Sequence, residues 1–399
     1  MKVLHTITSM DPTLGGVCQG LRTIAGGLED EGFSNEVVTL DEPSAEFLRQ
    51  ERVPIHALGR AKSRWSYNAK LSPWLTENLI RFDAVVVHGI WQFHGYATAQ
   101  AVRRFKLGHQ KAPRLFIFPQ GMLDPYFQRA PGRRIKSIRN WVYWKLAEGP
   151  IINEADGIFF TAEMERQLAH QPFKPYHPKL EVVVGMGVHP PPTFSQSLVD
   201  TFYSKCPKAA GSAYILFLGR IDEKKGIDLL LNAYIETGEK MGWSSSFPKL
   251  VIAGPGLDSP YGKKMLHIAA ACLRGSDFIL FPGMLTGDAK WGAFYGAEAF
   301  ALTTHQENFG IAIVEAMACG RPVLISNKTN IWSEVVSLGG GFVSDDNPES
   351  TNAMLNKWLM LSNEEKSVAG LRAEQAYNQH FAIKPTVKRW AHVLRTGAP

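Results

Sequence analysis

Short apolar runs alternate with longer segments of helical period along most of the chain, the pattern of parallel sheets flanked by helices. In the first half KVLHTIT (2–8), NEVVTL (35–40), DAVVVHG (83–89), RLFIFP (114–119), GIFF (157–160) and LEVVVG (180–185) predict strands. Helical patterns cover about 16–31, 71–82 and 96–107. The alternation breaks over 185–212, where GMGVHPPPTF and KCPKAAGS carry no apolar period. Prolines bar a regular helix and restrict the residues before them, so this region reads as a linker. AYILFLG (213–219), KLVIAG (249–254), FILFPG (278–283), AFALT (299–303) and RPVLIS (321–326) then restart the pattern, and the chain reads as helical from about 349. The expected fold class is α/β, two Rossmann-like doubly wound domains over 1–190 and 191–378, with a terminal helix at 379–399 crossing back to the first. Ligands of such sheets bind at the carboxyl ends of strands, so the site is expected in a cleft between the domains.

Composition narrows the class. The chain has 399 residues, 45% of them hydrophobic and 20% charged, with a net charge of +6, which excludes wholesale disorder. No run of membrane-spanning length is present, and MKVLHTITS reads as a first strand rather than a signal peptide. Cys18, Cys206, Cys272 and Cys319 are scattered without a C-x-x-C pair, which suits a reducing compartment and argues against a zinc site. A cytoplasmic location is the expectation.

Candidate chemistry concentrates in the second half. In LFLGRIDEKKGIDLLLNAY (216–234), Gly219 ends a strand and Gly226 opens a helix, with Arg220 and Lys225 flanking the turn. Two cations beside a helix N-terminus suit a diphosphate, although solvated loop cations fit the same pattern. In HQENFGIAIVEAMACGRPVLIS (305–326), Glu307 precedes a short apolar helix that opens near Gly310, and Glu315 lies in its second turn. A carboxylate among apolar residues needs a partner, which sugar hydroxyls or an internal ion pair would supply.

Glu307 and Glu315 form an E-x7-E motif within ENFGIAIVEAMACGRPV, and GRIDEKKG stands upstream of it. This pairing resembles the family-4 retaining glycosyltransferases of GT-B fold, most specifically over 213–326. The resemblance implies that Arg220 and Lys225 hold a donor diphosphate, Glu307 the donor sugar and Glu315 the ribose, with amides of Asn308, Phe309, Gly310 and Ile311 nearby. It also implies a nucleobase pocket beside Met284 and Leu285, and a place for Gly15 and Gly16 near the donor phosphate or the acceptor.

In the first half, His88 ends the run VVVHG, where an acceptor-binding role and a satisfied core histidine fit equally well. FPQGMLDPYF (118–127) resembles a segment of related polysaccharide enzymes that commonly carries histidine where this chain has Gln120, and glutamine cannot carry a proton charge. Asp124 could meet the acceptor or shape the turn before Pro125. RAPGRRIKSIRNWVYWKL (129–146), interleaving Arg129, Arg133, Arg134, Lys136, Arg139 and Lys145 with aromatic and aliphatic residues, suits an anionic membrane surface or a lipid diphosphate acceptor. An ordinary amphipathic helix with its aromatics in the core fits as well. No nucleic-acid module accompanies the charge.

The reaction expected is sugar transfer from a nucleoside-diphosphate-sugar to an acceptor hydroxyl with retained configuration, in exopolysaccharide, envelope polysaccharide or lipopolysaccharide synthesis. The acceptor would be a saccharide or lipid-linked oligosaccharide. No metal and no cofactor are expected, because the cations can offset the leaving diphosphate. An epimerase or phosphorylase of the same fold, which would release free sugar or cleave glucan with phosphate, is one rival reading; a non-catalytic sugar-binding protein is another.

Overall fold

Strands covered on both faces need continuous apolar sequence, and the apolar runs of this chain become such strands. In a computed structural model describing residues 1–129 and 134–398, the chain divides into two units, Met1–Gly187 with Ile383–Pro399, and Val188–Ala382.

The first unit holds β1 (Lys2–Ile7), β2 (Ser34–Thr39), β3 (Ile55–Ala57), β4 (Ala84–His88), β5 (Arg114–Phe118), β6 (Gly157–Phe160) and β7 (Glu181–Val183), in the order β3-β2-β1-β4-β5-β6-β7. Every pairing in this sheet is parallel. The helix Ile383–Thr396 belongs to this unit: Ile383, Val387 and Trp390 join Val3, Ile24, Val86, Phe116 and Phe159 in one buried cluster. Its packing fixes the small residue opposite, since a Cβ on Gly27 would come within 2.4 Å of Val387.

The second unit holds β8 (Tyr214–Leu218), β9 (Lys249–Ala253), β10 (Ile279–Gly283), β11 (Ala299–Leu302), β12 (Val323–Ser326) and β13 (Gly341–Ser344), in the order β10-β9-β8-β11-β12-β13, again all parallel. Each sheet therefore reverses its strand order once, between β1 and β4 and between β8 and β11, and such switch points are where doubly wound sheets bind ligands.

One expectation needs correction. The stretch 185–212 is not without a regular helix, because Gln196–Lys205 is helical. The prolines end before Ser195, its N-cap, and Leu198, Val199 and Phe202 bury one face. The basic-aromatic segment 129–146 is helical wherever it is described. It comprises the end of Tyr126–Arg129, then Arg134–Tyr143, then a π-helical turn at Trp144–Glu148. Arg133 lies outside the described residues, as does the side chain of Arg134.

Candidate active site

In the second unit both motifs leave the sheet at its switch point. After β8 the chain makes a single 3-10 turn, Glu223–Lys225, whose start is capped by the Asp222 carboxylate accepting the Lys224 amide at 3.0 Å. Gly226 follows at φ 60° and opens the helix Ile227–Met241. A Cβ there would stand 2.0 Å from the Thr303 carbonyl oxygen, so only glycine lets this turn lie against the end of β11. Hydrogen bonds close the join. Thr303 Oγ1 donates to the Gly226 carbonyl at 2.7 Å, and Thr304 Oγ1 and the His305 amide donate to the Lys224 carbonyl at 2.8 and 2.9 Å.

This join brings Lys225 and Glu307, 82 positions apart, together as a largely buried ion pair of Nζ with Oε2. The Glu307 amide donates to Lys328 O at 2.8 Å, its carbonyl accepts from the Asn330 amide at 2.9 Å, and its Oε1 accepts from the Asn308 amide at 3.2 Å. Burial opposes ionisation of Glu307, but the Lys225 charge and hydrogen bond, the Lys224 charge and the Asn308 amide outweigh it and hold the carboxyl below its ordinary range. Gly310, at φ 71°, turns the chain into the helix Ile311–Ala318. Asn308, Gly310 and Ile311 stay half-buried around that N-terminus, while Phe309 is buried against Phe381 with ring centroids 5.8 Å apart.

Glu315 has a partner that sequence reasoning missed. Lys290, on the helix Gly287–Gly296, donates to Oε1 at 2.7 Å and lies 4.0 Å over the Trp291 ring. An internal ion pair thus offsets the burial of Glu315, and Oε2 is left without a partner among the described residues. Arg220 stands exposed after β8. Of the two nucleobase candidates, Met284 is 68% exposed and Leu285 is buried.

In the first unit, Gly15, at φ 104°, and Gly16 open the helix Gly16–Asp30 and are both exposed. His88 ends β4, and of its two readings its surroundings favour the satisfied core histidine. It is buried, with Nε2 3.0 Å from His5 Nδ1 and Nδ1 3.3 Å from Gln120 Nε2, so neither ring nitrogen is spare. His94, on the helix Phe93–Gly108, donates Nε2–H to the His88 carbonyl at 3.0 Å. Burial brings His5 and His94 down to about 4, and burial joined by the neighbouring His5 and His94 takes His88 well below its ordinary value. All three are neutral at pH 7. Asp124 is buried and accepts the Tyr126 amide at 2.8 Å, so it shapes the turn into Tyr126–Arg129.

Glu148, in the π-helical turn, is a buried carboxyl that sequence reasoning also missed. Its Oε2 accepts the Trp91 amide at 3.1 Å, and burial pushes its pKa up to about 7 against that bond. Its neighbours on the preceding helix face outward: Ile135, Ile138 and Trp141 are 85%, 65% and 54% exposed.

With this geometry in hand, likeness to other proteins gains meaning. The family of Glycosyl transferases group 1 matches residues 200–375, and the Glycosyl transferase 4-like domain matches residues 15–185. The D-inositol 3-phosphate glycosyltransferase of Streptomyces bingchenggensis is 28% identical over 193 residues, 45% of this chain and 39% of that protein. A probable sucrose-phosphate synthase of Thermosipho melanesiensis is 26% identical over 173 residues, 41% of this chain and 36% of its own length. The chain therefore spans well under two thirds of the length of these curated relatives. Among solved structures, Anabaena Alr3699/HepE in complex with UDP superposes with a TM-score of 0.77 at 17% identity, covering 99% of this chain and 100% of that one. WaaG, a glycosyltransferase involved in lipopolysaccharide biosynthesis, does so with a TM-score of 0.61 at 15% identity, covering 99% and 100%.

Proposed function

Because the chain belongs to the group 1, family 4 glycosyltransferases of GT-B fold, we propose that it moves a sugar from a nucleoside-diphosphate-sugar to a carbohydrate hydroxyl with retention of configuration. The observation that carries this reading is the Lys225–Glu307 pair at the switch point between β8 and β11. A carboxylate that accepts hydroxyl protons stands beside a cation that suits phosphate, which is the pairing a sugar-diphosphate needs. Binding exchanges that internal pair for ligand contacts, Glu307 taking sugar hydroxyls and Lys225 the diphosphate, with Arg220 adding charge from the exposed turn. Glu315 offers Oε2 to the ribose while Lys290 keeps Oε1.

In the transfer, the acceptor hydroxyl oxygen bonds to the anomeric carbon on the face from which the diphosphate departs. The bond from that carbon to the phosphate oxygen breaks with its electron pair on the oxygen, which takes the acceptor's proton. Lys225 and Arg220 stabilise the growing negative charge, so the reaction proceeds without a metal ion.

UDP-glucose, which Anabaena Alr3699/HepE binds in its solved complex, is the first donor to test. UDP and UDP-glucose should raise the melting temperature of the native protein, and Lys225→Ala should remove that shift and lower transfer by at least about 10²-fold. If no nucleotide or nucleotide-sugar, whatever the base, stabilises the native protein, the reading fails.

The product belongs to polysaccharide, envelope or lipopolysaccharide assembly, and the exposed face of Arg134–Tyr143 supports a lipid-linked acceptor met at a membrane surface. No described helix is long and apolar enough to cross a membrane, so contact through this face would be peripheral. Ile135, Ile138 and Trp141 point outward, with Lys136, Arg139 and Lys145 on the same short segment. The protein should sediment with phosphatidylglycerol vesicles and not with phosphatidylcholine vesicles, and Ile138→Glu with Trp141→Glu should abolish this. Unchanged sedimentation of that double variant would exclude the segment.

A further inference from the structure

The unit Val188–Ala382 has a cavity at the end of its sheet away from the Lys225–Glu307 pair. Its volume is about 490 Å³, within the range of pockets that hold small molecules. Glu298 and Arg321, which line it, stand just before β11 and β12, whereas Lys225 and Glu307 follow the carboxyl ends of β8 and β11. The helix Asn363–Ala376 forms the opposite wall. It comes closest at Gly370, where a Cβ would stand 2.6 Å from the Gly320 carbonyl oxygen. One and two turns earlier on the same face, Lys366, Ser367 and Asn363 line the cavity with polar side chains.

The charges around this cavity do not cancel. Lys366 is taken up by Glu298, Nζ donating to Oε1 at 2.9 Å, and the same oxygen accepts Trp358 Nε1 at 3.0 Å. Arg321, half-buried, has no such counter-ion. Its Nε donates to the Cys319 carbonyl and its Nη1 to the Ala297 carbonyl, both at 3.1 Å, while Nη2 bonds to none of the described residues. Burial pulls the guanidinium below its ordinary value, and the groups that oppose this are Cys319, Tyr214 and Tyr295, none of them a carboxylate. Glu374, exposed on the rim, forms no ion pair with it among the described residues. A cation fixed by two carbonyls and left without an acid is poorly compensated by the fold alone.

We infer that this cavity binds a small metabolite by its oxyanion, a phosphate or a carboxylate, held by Arg321 Nη2 and the Ser367 hydroxyl. A guanidinium takes either oxyanion through charge-assisted hydrogen bonds, and the two carbonyls fix its plane before the ligand arrives. The Lys366 charge on Glu298 keeps that carboxylate from opposing the anion. The cavity has room for more than the anionic group, and the Asn363 amide offers both a donor and an acceptor to hydroxyls on the rest of the ligand. The site lies wholly within one unit and does not depend on the glycosyltransferase reading.

Calorimetric titration of the full chain with glycerol 3-phosphate, glycerate and glycerol tests it, since the three share one polyol body and differ in the charged group. At least one of the two anions should bind and glycerol should not, and the tighter anion names the oxyanion. Lys225 also suits phosphate, so Lys225→Ala is titrated in parallel and should bind the anion as the native protein does. Arg321→Met should weaken binding by at least about tenfold, the loss of a hydrogen bond from a charged group. Ser367→Ala should weaken it by about threefold and leave the melting temperature of the ligand-free protein unchanged. The Ser367 side chain bonds to none of the described residues, so this variant decides the matter even where Arg321→Met fails to fold. Unchanged affinity in Ser367→Ala, or in a folded Arg321→Met, overturns the assignment. Binding lost in Lys225→Ala moves the anion to the other end of the sheet and overturns it too, as does a native protein that binds neither anion. Failure of every nucleotide to bind would remove the glycosyltransferase reading and leave this site standing.

Discussion

Glu148 shows how much one buried carboxyl can set. It is 1% exposed and meets one amide, that of Trp91, so its ionised form is poorly solvated and its pKa lies at about 7 rather than near 4.5. The folded state then holds this proton more tightly than the unfolded state does. The stability this gives is fully present below pH 4.5 and is lost as pH rises to 7, above which the folded protein carries an unfavourable buried charge. Glu148→Gln keeps an acceptor for the Trp91 amide and removes the charge. The variant should match the native protein near pH 4.5 and exceed it by up to about 3 kcal/mol at pH 8.5 in urea unfolding. Equal stability at both values would show that the carboxyl is solvated. Nothing in the sequence marks Glu148, since WKLAEGP reads as an ordinary helix end and its burial depends on Trp91, 57 positions away. The same holds for Lys290, a lone lysine whose carboxylate partner lies 25 positions on. Glu307 and Lys225 were legible because each sits in a motif with a fixed local setting. His5 left a fainter signal, a polar residue inside an apolar strand run.

At the level of elements, the helix Ile227–Met241 carries a test at its two ends. Gly226 before it and Gly242 after it are both left-handed, at φ 60° and 77°. A Cβ at Gly242 would meet nothing within 4 Å, whereas one at Gly226 would stand 2.0 Å from the Thr303 backbone. Gly242→Ala should therefore cost only about 1 kcal/mol and leave nucleotide binding intact. Gly226→Ala must push the Lys225 turn off β11. It should cost roughly 3 kcal/mol, and the nucleotide-induced rise in melting temperature should be lost with it. Comparable behaviour of the two variants would contradict the close approach. The long buried strands were legible because apolar runs of five or six residues have few other uses. β3 and β13 were not, because Ile55–Ala57 and Gly341–Ser344 lie at sheet edges, mostly half-buried, with no such run to show. The helix Gln196–Lys205 was hidden by the prolines just before it, although Leu198, Val199 and Phe202 already had a helical spacing.

Across the whole molecule the titrating histidines are unevenly placed, and acid should therefore act on one unit first. His5, His88 and His94 all lie in the unit of Met1–Gly187 with Ile383–Pro399, buried and neutral. When that unit unfolds, each ring regains its ordinary pKa of 6.5, so below pH 6.5 the unfolded state binds up to three protons that the folded state refuses. Stability must fall as pH drops, on the order of 3 kcal/mol apiece for His5 and His94 by pH 4. Glu148 works in the opposite direction with one proton between pH 7 and 4.5, which leaves a net of about two protons and a slope near pH 5.5 of roughly 2.5 kcal/mol per pH unit. In Val188–Ala382, Glu307 is the carboxyl held low by its lysine, and its contribution is lost only as pH falls below 4.5. Hydrogen exchange read by mass spectrometry at pH 7.5 and pH 5, corrected for the intrinsic rate, should show protection lost across β1, β4 and β5 at the lower value. Peptides from β8, β11 and β12 should keep theirs. Glu148→Gln should steepen the acid loss in the first unit, because the opposing proton is gone. Uniform loss across both units would mean that the three histidines are already solvated in the native protein.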